Sequence, residues 1–396
     1  MLTVTRLRLY PEARQEQALA KAFGCARWLW NNSLAETQRA YQETGKGLGQ
    51  YALNKRLPEL KKEHEWLAET HSQVLQSVSL HLSRAFVNFF ERRARYPNFK
   101  SKQGRQSIHY PQGVRLVEGR KLFLPKIGHV KAVVHREMAG IIKTVTVSRN
   151  QAGRYFASVL TENEIPMPAV SFEGKILGVD LGLAHLAVTS DGSRFDNPRH
   201  LAKAEKNLKR KQQSLSRKVK GSRTRNKARI LVAKAHERVA NTRKDWLHKL
   251  SHRLVNENQV LAIEDLHVKG MMKNPNLAKA IGEVGWGLFT GFLEYKAART
   301  GKGFIKVNRY FPSSKTCSCC MHVQASMPLT VRSWRCDKCG TLHDRDTNAA
   351  QNIRLEAQRM IAAGTAGTAN GGMVSRGAGR KSSVLARAVE VGSSVL

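Results

Sequence analysis

Ile176-Leu177-Gly178-Val179-Asp180-Leu181-Gly182-Leu183, running straight into Ala187-Val188-Thr189-Ser190-Asp191-Gly192, is the stretch around which the chain is organised. Its aliphatic and β-branched residues predict a buried strand that delivers one carboxylate, Asp180, to its end, with glycines on both sides that let backbone or ligand come close. A charge in an apolar strand is costly to bury unless it binds or pairs with a cation. Asp180 therefore asks for partners.

Two other stretches offer them. Val260-Leu261-Ala262-Ile263-Glu264-Asp265-Leu266 is a second apolar strand ending in carboxylates, and in Asp344-Arg345-Asp346-Thr347-Asn348-Ala349-Ala350-Gln351-Asn352-Ile353 acids precede a helix. Three acids from two strands and a helix start form an oxygen cage suited to Mg²⁺ or Mn²⁺ and not to zinc. Two such ions roughly 4 Å apart do phosphodiester chemistry. Each piece alone has a plainer reading: Gly-x-Asp-x-Gly also opens actin-like and sugar-kinase ATPases, Glu264 could be an exposed strand-end acid, and Asp346 a helix N-cap. Leu183 stands where those ATPases usually carry Thr or Ser, and no second Gly-rich phosphate loop follows. The three pieces together, in this order and in so basic a chain, favour the metal cage.

The 396 residues exceed what one core usually supports and predict two to four folding units. Lys and Arg total 67 against 30 acids, a net charge of +37, while 41% of residues are hydrophobic. A folded protein with that surplus lives on a polyanion, DNA, RNA or both. No secretory signal opens the chain and no apolar span reaches membrane length, so a soluble protein of the cell interior, without a membrane partner, is expected. Of six cysteines Cys25 stands alone and five cluster between 317 and 339, the pattern of metal binding in a reducing compartment.

Leu2 to Tyr10 alternates apolar and basic residues as a strand would, and Pro11 ends it. From Glu12 to about Lys102 the period turns helical: Leu19, Phe23, Ala26, Trp30 and Leu34 form one stripe, a loop falls at Gly45 to Gly49, and Val74, Val78, Leu82, Phe86 and Phe89 form another stripe. Trp28, Trp30 and Trp66 could stack on bases, though core packing is the commoner use. Ser107 to Glu164 returns to strands separated by turns such as Glu118-Gly119 and Ala152-Gly153, a small β-barrel joined by the N-terminal strand, with the helices inserted as a flap.

Residues 201 to 257 predict a basic helical hairpin broken at Gly221-Ser222. Lys209, Arg210, Lys211, Arg217, Lys218, Lys220, Arg223, Arg225, Lys227 and Arg229 crowd its middle with few acids to pair them, as expected of a nucleic-acid contact whose affinity depends on salt. A helix near Val284 to Thr300 and the strand Phe304-Ile305-Lys306-Val307 follow. Cys317, Cys320, Cys336 and Cys339 then give two Cys-x-x-Cys knuckles spaced for one tetrahedral structural zinc. Closed four-sulfur coordination leaves no place for substrate, so this zinc serves folding, and Cys319 is the spare.

The order of strands, helices and acids is that of an RNase H-like fold of the RuvC type, split by a zinc insertion before its last acid. The chain resembles the TnpB (OrfB) proteins of bacterial insertion sequences over about residues 1 to 365. Gly178-Val179-Asp180-Leu181-Gly182, Ile263-Glu264-Asp265-Leu266, Tyr310-Phe311-Pro312-Ser313-Ser314-Lys315-Thr316-Cys317, Trp334-Arg335-Cys336-Asp337-Lys338-Cys339-Gly340 and His343-Asp344-Arg345-Asp346-Thr347-Asn348-Ala349-Ala350 carry the likeness, with Arg8-Leu9-Tyr10-Pro11 and Arg27-Trp28-Leu29-Trp30-Asn31. One departure is Met321, where the family usually has Gly, which puts slight strain on that turn.

The resemblance implies a Mg²⁺-dependent, RNA-guided DNA endonuclease, related to the ancestors of type V CRISPR effectors. It implies a guide (ωRNA) bound by wedge, recognition and RuvC domains, a short motif read beside the target, and pairing that reads the rest. Carried over, Asp180, Glu264 and Asp346 are the catalytic acids holding two Mg²⁺, with Mn²⁺ as a substitute, and the four cysteines hold one zinc. Asp344 competes with Asp346 for the third place; Asp346 is preferred because it directly precedes Thr347-Asn348-Ala349-Ala350. Asp265 should face away, since adjacent strand residues point to opposite sides.

The implied fold is multidomain α/β: a wedge strand (1–10), an inserted helical recognition domain (11–104), the wedge β-barrel (105–170), a RuvC domain (171–310) with its basic hairpin (201–257), a zinc-ribbon target-nucleic-acid-binding insertion (311–343), the last RuvC helix (344–365) and a disordered tail (366–396). A cytoplasmic monomer in a ribonucleoprotein is expected, on the nucleoid when bound to double- or single-stranded target DNA and leaving 5′ phosphate and 3′ hydroxyl ends. The competing functions are a DNA transposase using the same acids, a nuclease-dead RNA-guided repressor, which expects a lost acid, and, more distantly, a kinase-like ATPase.

Overall fold

The computed structural model describes residues 1–117, 120–135, 137–328 and 330–366. The turn expected at Glu118-Gly119 and all but the first residue of the expected tail lie outside them. Two compact units make up the chain, the first essentially residues 1–165 and the second beginning at Pro166.

In the first unit β1 (Leu2–Tyr10) buries Leu7 and Leu9 on one face, as its alternation requires. Helix α1 (Ala13–Thr44) follows. Its start is fixed by a capping box between Glu12 and Gln15, its stripe Leu19, Phe23, Ala26, Trp30 and Leu34 is buried, and Gly45 ends it in the left-handed conformation. Helices α2 (Gln50–Lys55), α3 (Leu57–Glu63) and α4 (Ser72–Phe90) complete the inserted block. Strands β2 (Gln106–Tyr110), β3 (Arg115–Val117), β4 (Lys121–Leu124), β5 (Gly128–Val133), β6 (Ile141–Arg149) and β7 (Tyr155–Glu162) then join β1 in one antiparallel sheet of order β2-β6-β7-β1-β5-β4-β3. The N-terminal strand thus lies between β7 and β5, and the helices leave the sheet from its end. Trp30 is buried and its indole N–H donates to the Asn98 carbonyl at 3.0 Å, so its job is packing. Trp28 and Trp66 meet edge-on at 5.2 Å, with Trp66 still open to solvent.

The second unit is built on β8 (Ile176–Leu181), β9 (His185–Thr189) and β10 (Arg194–Asp196), the helices α5 (His200–Ser216) and α6 (Arg223–Glu257), and β11 (Val260–Glu264). Next come α7 (Val268–Met271), α8 (Pro275–Val284), α9 (Trp286–Arg299), β12 (Gly303–Val307), the ribbon strands β13 (Ser333–Arg335) and β14 (Leu342–Asp344), and finally α10 (Arg345–Ala362). The five-stranded sheet has order β10-β9-β8-β11-β12, with β8, β11 and β12 parallel. Its central strands are apolar on both faces because helices cover both. Leu177, Val179, Leu261, Ile263 and Phe304 pack with Leu247 of α6 and Phe289 and Phe292 of α9, while Val260, Ala262, Ile305 and Val307 pack with Ile353 and Ala357 of α10.

Helix α8 is an element that the hydrophobic period does not announce. Its signals are punctuation: the Asn274 side chain accepts the Asn276 N–H, Pro275 takes the first turn, and Gly285 closes it. Among the described residues no helix is long and apolar enough to cross a membrane.

Candidate active site

Strand alternation sorts the acids. Leu177, Val179 and Leu181 face α6 and α9, so Asp180, in step with Gly178, faces α10. On β11 Leu261 and Ile263 face α9, so Glu264 also faces α10. Ile263 pairs with Val179 in parallel register, which sets Glu264 and Asp180 side by side one residue further along. Gly178 makes room for the third element: a Cβ there would stand 2.1 Å from the Ala350 carbonyl oxygen and 2.7 Å from the Arg354 nitrogen. The backbone of α10 rests on this glycine, and its first turn brings Asp346 to the same end of the sheet.

The electrostatics record the convergence. Burial pushes the Asp180 carboxyl up to about 7, and the charges of Asp346 and Glu264 push the same way; Arg345 and the Leu181 N–H oppose them. Glu264 is raised by burial and then by Asp265. Two carboxyls that resist ionisation, with a third acid beside them, are suited to multivalent cations. They are set more widely than the thiols: among the described residues the four cysteines are the one group of three or more ligand atoms all within 4.8 Å.

The two neighbouring acids are engaged elsewhere. Asp344 is the N-cap of α10, accepting the Thr347 N–H at 3.0 Å, and pairs with Arg194 at 3.0 Å; these contacts hold its carboxyl below the usual range even against burial. Asp265 is ion-paired with Arg309. Asp346 meets Arg332 at 3.4 Å. Arg345, which sequence reasoning passed over, is buried, donates to the Pro328 carbonyl at 2.9 Å and favours the charged form of Asp180. An Arg inside a buried helix start was the available signal.

Cys317 and Cys339 sulfurs are 3.6 Å apart, as are those of Cys320 and Cys336. A tetrahedron of Zn–S bonds near 2.3 Å has edges of about 3.8 Å, close to these two separations, and all four sulfurs lie within 4.8 Å of one another, so the quartet suits zinc. Cys319 is exposed and outside the cluster. Trp334 packs on Cys317 and Cys336, and His343 Nε2 lies 3.1 Å from the Cys317 sulfur, an outer hydrogen-bonding partner. Met321 has φ of 62°, the strained conformation its place in the knuckle implies.

On the basic hairpin Lys209, Arg210, Arg217, Lys220, Arg223, Lys227 and Arg229 are exposed, and Lys211 and Lys218 half-buried. Arg225 is half-buried. Its guanidinium donates to the Leu215 carbonyl at 3.0 Å, which also accepts the Lys218 N–H, and to the Lys218 carbonyl at 2.6 Å, tying α6 to the turn after α5. These bonds make it a staple of the hairpin turn.

The OrfB_IS605 family profile, described as "Probable transposase", matches residues 157–275. A Cas12f1-like TNB domain matches 286–353 and an OrfB helix-turn-helix domain matches 1–46, residues that here form β1 and the single long helix α1. A "Putative RNA-guided DNA endonuclease" of Streptomyces pristinaespiralis is 40% identical over 92% of this chain and 90% of its own length. "Putative RNA-guided DNA endonuclease InsQ" of Escherichia coli K12 is 32% identical over 92% of this chain and 94% of its own. Among solved structures, the Cas12f1 chain of a Cas12f1-sgRNA-target DNA complex shares the fold with a TM-score of 0.54 at 13% identity, covering 89% of this chain and 98% of that one. Identity of this order along nearly the whole of both chains, with the acids and the cysteine quartet in place, makes the protein a member of the TnpB (OrfB) family.

Proposed function

We propose that this protein is an RNA-guided DNA endonuclease of an insertion sequence, hydrolysing target phosphodiesters at Asp180, Glu264 and Asp346. The observation that carries the reading is the convergence of these acids from β8, β11 and α10, where burial first, and then the charges of Asp346 and Glu264, push the Asp180 carboxyl up to about 7. The names of its relatives and the fold shared with a guide-bound effector support the RNA and DNA partners.

Oxygen donors of this kind would hold Mg²⁺, or Mn²⁺ in its place, and two such ions supply an activated water on one side of the phosphodiester and stabilisation of the departing 3′ oxygen on the other. The chain's own contribution is placement. The parallel pair β8 and β11 fixes Asp180 beside Glu264, and the capped first turn of α10 sets Asp346 across from them. Cys317, Cys320, Cys336 and Cys339 would hold a zinc ion that closes the ribbon. The exposed cations of α5 and α6 neutralise phosphates without reading sequence, so guide pairing supplies the choice of target. The active particle is a cytoplasmic ribonucleoprotein with one copy of the chain, nucleoid-bound when on its target. The domain limits proposed are those read from the sequence.

The test is expression with the native flanking DNA, sequencing of co-purified RNA, and challenge with a plasmid library in Mg²⁺ beside Asp180→Ala. A defined RNA and guide-dependent cuts lost in the mutant are expected; absence of specific RNA, or cutting indifferent to it, would refute the reading. The "Probable transposase" description of the family favours a second reading, strand transfer by the same acids, which predicts joined products and no guide.

A further inference from the structure

Helix α10 has two buried asparagines just beyond Asp346. Asn348 and Asn352 are 2% and 0% exposed, and an amide in such a place must be hydrogen-bonded. Their partners lie in one loop, the segment that leads into the first cysteine knuckle. The Asn348 amide nitrogen donates to the Thr316 carbonyl at 2.7 Å, and its oxygen accepts the Ser318 N–H at 3.0 Å. The Asn352 nitrogen donates to the carbonyls of Thr316 at 2.6 Å and Ser313 at 2.8 Å. Cys317 is thus held on both sides, at Thr316 and Ser318, by a side chain two residues from Asp346.

The other half of the ribbon reaches the same helix end through the chain itself. Strand β14, which follows Cys339, ends at Asp344, where α10 begins, and the Arg345 N–H donates to the Arg332 carbonyl at 2.8 Å. Asp346 therefore stands between two attachments, one to each knuckle. Four thiolates drawn onto one ion fix the separation of those knuckles, and through the attachments they fix the start of α10.

Resting on the reading of Asp346 as a nuclease metal ligand, we infer that Asn348 and Asn352 are positioning residues through which the thiolate-bound metal sets where Asp346 stands. The ribbon metal and the carboxylate site are then linked. Losing the first, or the amides that transmit it, loosens the third ligand of the second while Asp180 and Glu264, held by the sheet, stay in place.

The experiment uses the full chain with its co-purified RNA, iron(II) in place of magnesium, and ascorbate with peroxide, so that the polypeptide is cut beside whichever residues hold the ion. Asn352→Ala and Asn348→Ala are compared with the wild type and with Arg359→Ala, an exposed position of the same helix. Expected are retained stoichiometric zinc, normal cutting near Asp180, cutting near Asp346 reduced at least fivefold, and a half-saturating Mg²⁺ for DNA cleavage raised about tenfold, the usual cost of losing a ligand-orienting partner. Wild-type cutting near Asp346 in a variant that keeps its zinc, or equal loss at both places, overturns the inference.

Where an asparagine variant does not fold, wild-type complex stripped of zinc with a mercurial answers the same question. Cutting near Asp346 should fade and return when zinc is restored; persistence of the cut without zinc overturns the linkage. Failure of the wild type to cleave guided DNA would remove the proposed function, but the polypeptide cuts would still report whether the two sites are linked.

Discussion

Gly178→Ala tests the geometry of the site with one methyl group. The added Cβ would stand 2.1 Å from the Ala350 carbonyl oxygen and 2.7 Å from the Arg354 nitrogen, both backbone atoms that no rotamer can move. To reach ordinary contact α10 must retreat from β8 by at least roughly 1.3 Å. Overpacking of this kind costs about 1–3 kcal/mol, which lowers the Tm of a unit this size by roughly 2–12 °C. The same retreat carries Asp346, one turn before Ala350, away from Asp180, and a ~1 Å misplacement of a catalytic group costs on the order of 10²-fold. Single-turnover cleavage of a guide-matched plasmid should therefore fall far more than binding of the same DNA, measured without Mg²⁺. Gly291→Ala, inside α9 with open space around it, is the contrasting change and should be neutral or stabilising by up to about 1 kcal/mol. If Gly178→Ala cleaves within threefold of the wild type with an unchanged Tm, α10 does not position Asp346 as argued.

Three further outcomes are expected. Asp180 keeps its proton to about pH 7 in the folded chain, against 3.8 for the free group, so the folded state loses stability as pH rises between those values, by up to ~4 kcal/mol; Asp180→Asn in EDTA should raise the melting temperature at pH 8 and not at pH 3.5, and an equal shift at both would contradict this. Met321→Gly relieves a left-handed φ of 62° worth roughly 1–2 kcal/mol, part of which glycine returns as unfolded-chain entropy, and the ribbon should hold its metal longer against a chelator; faster release would show that the methionine side chain contributes more than the strain. Lys209→Ala should reduce the salt slope of RNA or DNA binding by about 0.7–0.9, whereas Arg225→Met should lower thermal stability and leave the slope alone, and the reverse pattern would place Arg225 on the nucleic-acid face.

What the sequence by itself determined is whatever depends on local pattern. The apolar runs of β8 and β11, the alternation of β1 and the helical stripes of α1 and α4 are periodic, and period follows from backbone geometry alone. The cysteine quartet was legible for a similar reason, since the ion fixes the ligand spacing. Tertiary structure decided the relations between distant elements. That Asp346 stands with Asp180 and Glu264 while Asp344 caps a helix follows from α10 resting on Gly178. Composition marks Arg225 only as one more cation for the polyanion; the fold also sets it against the Leu215 and Lys218 carbonyls of the turn. Asn348 and Asn352 look in one dimension like any polar residues of a helix; only burial against Thr316 makes them a clamp, because a buried amide must find a partner wherever the fold brings one.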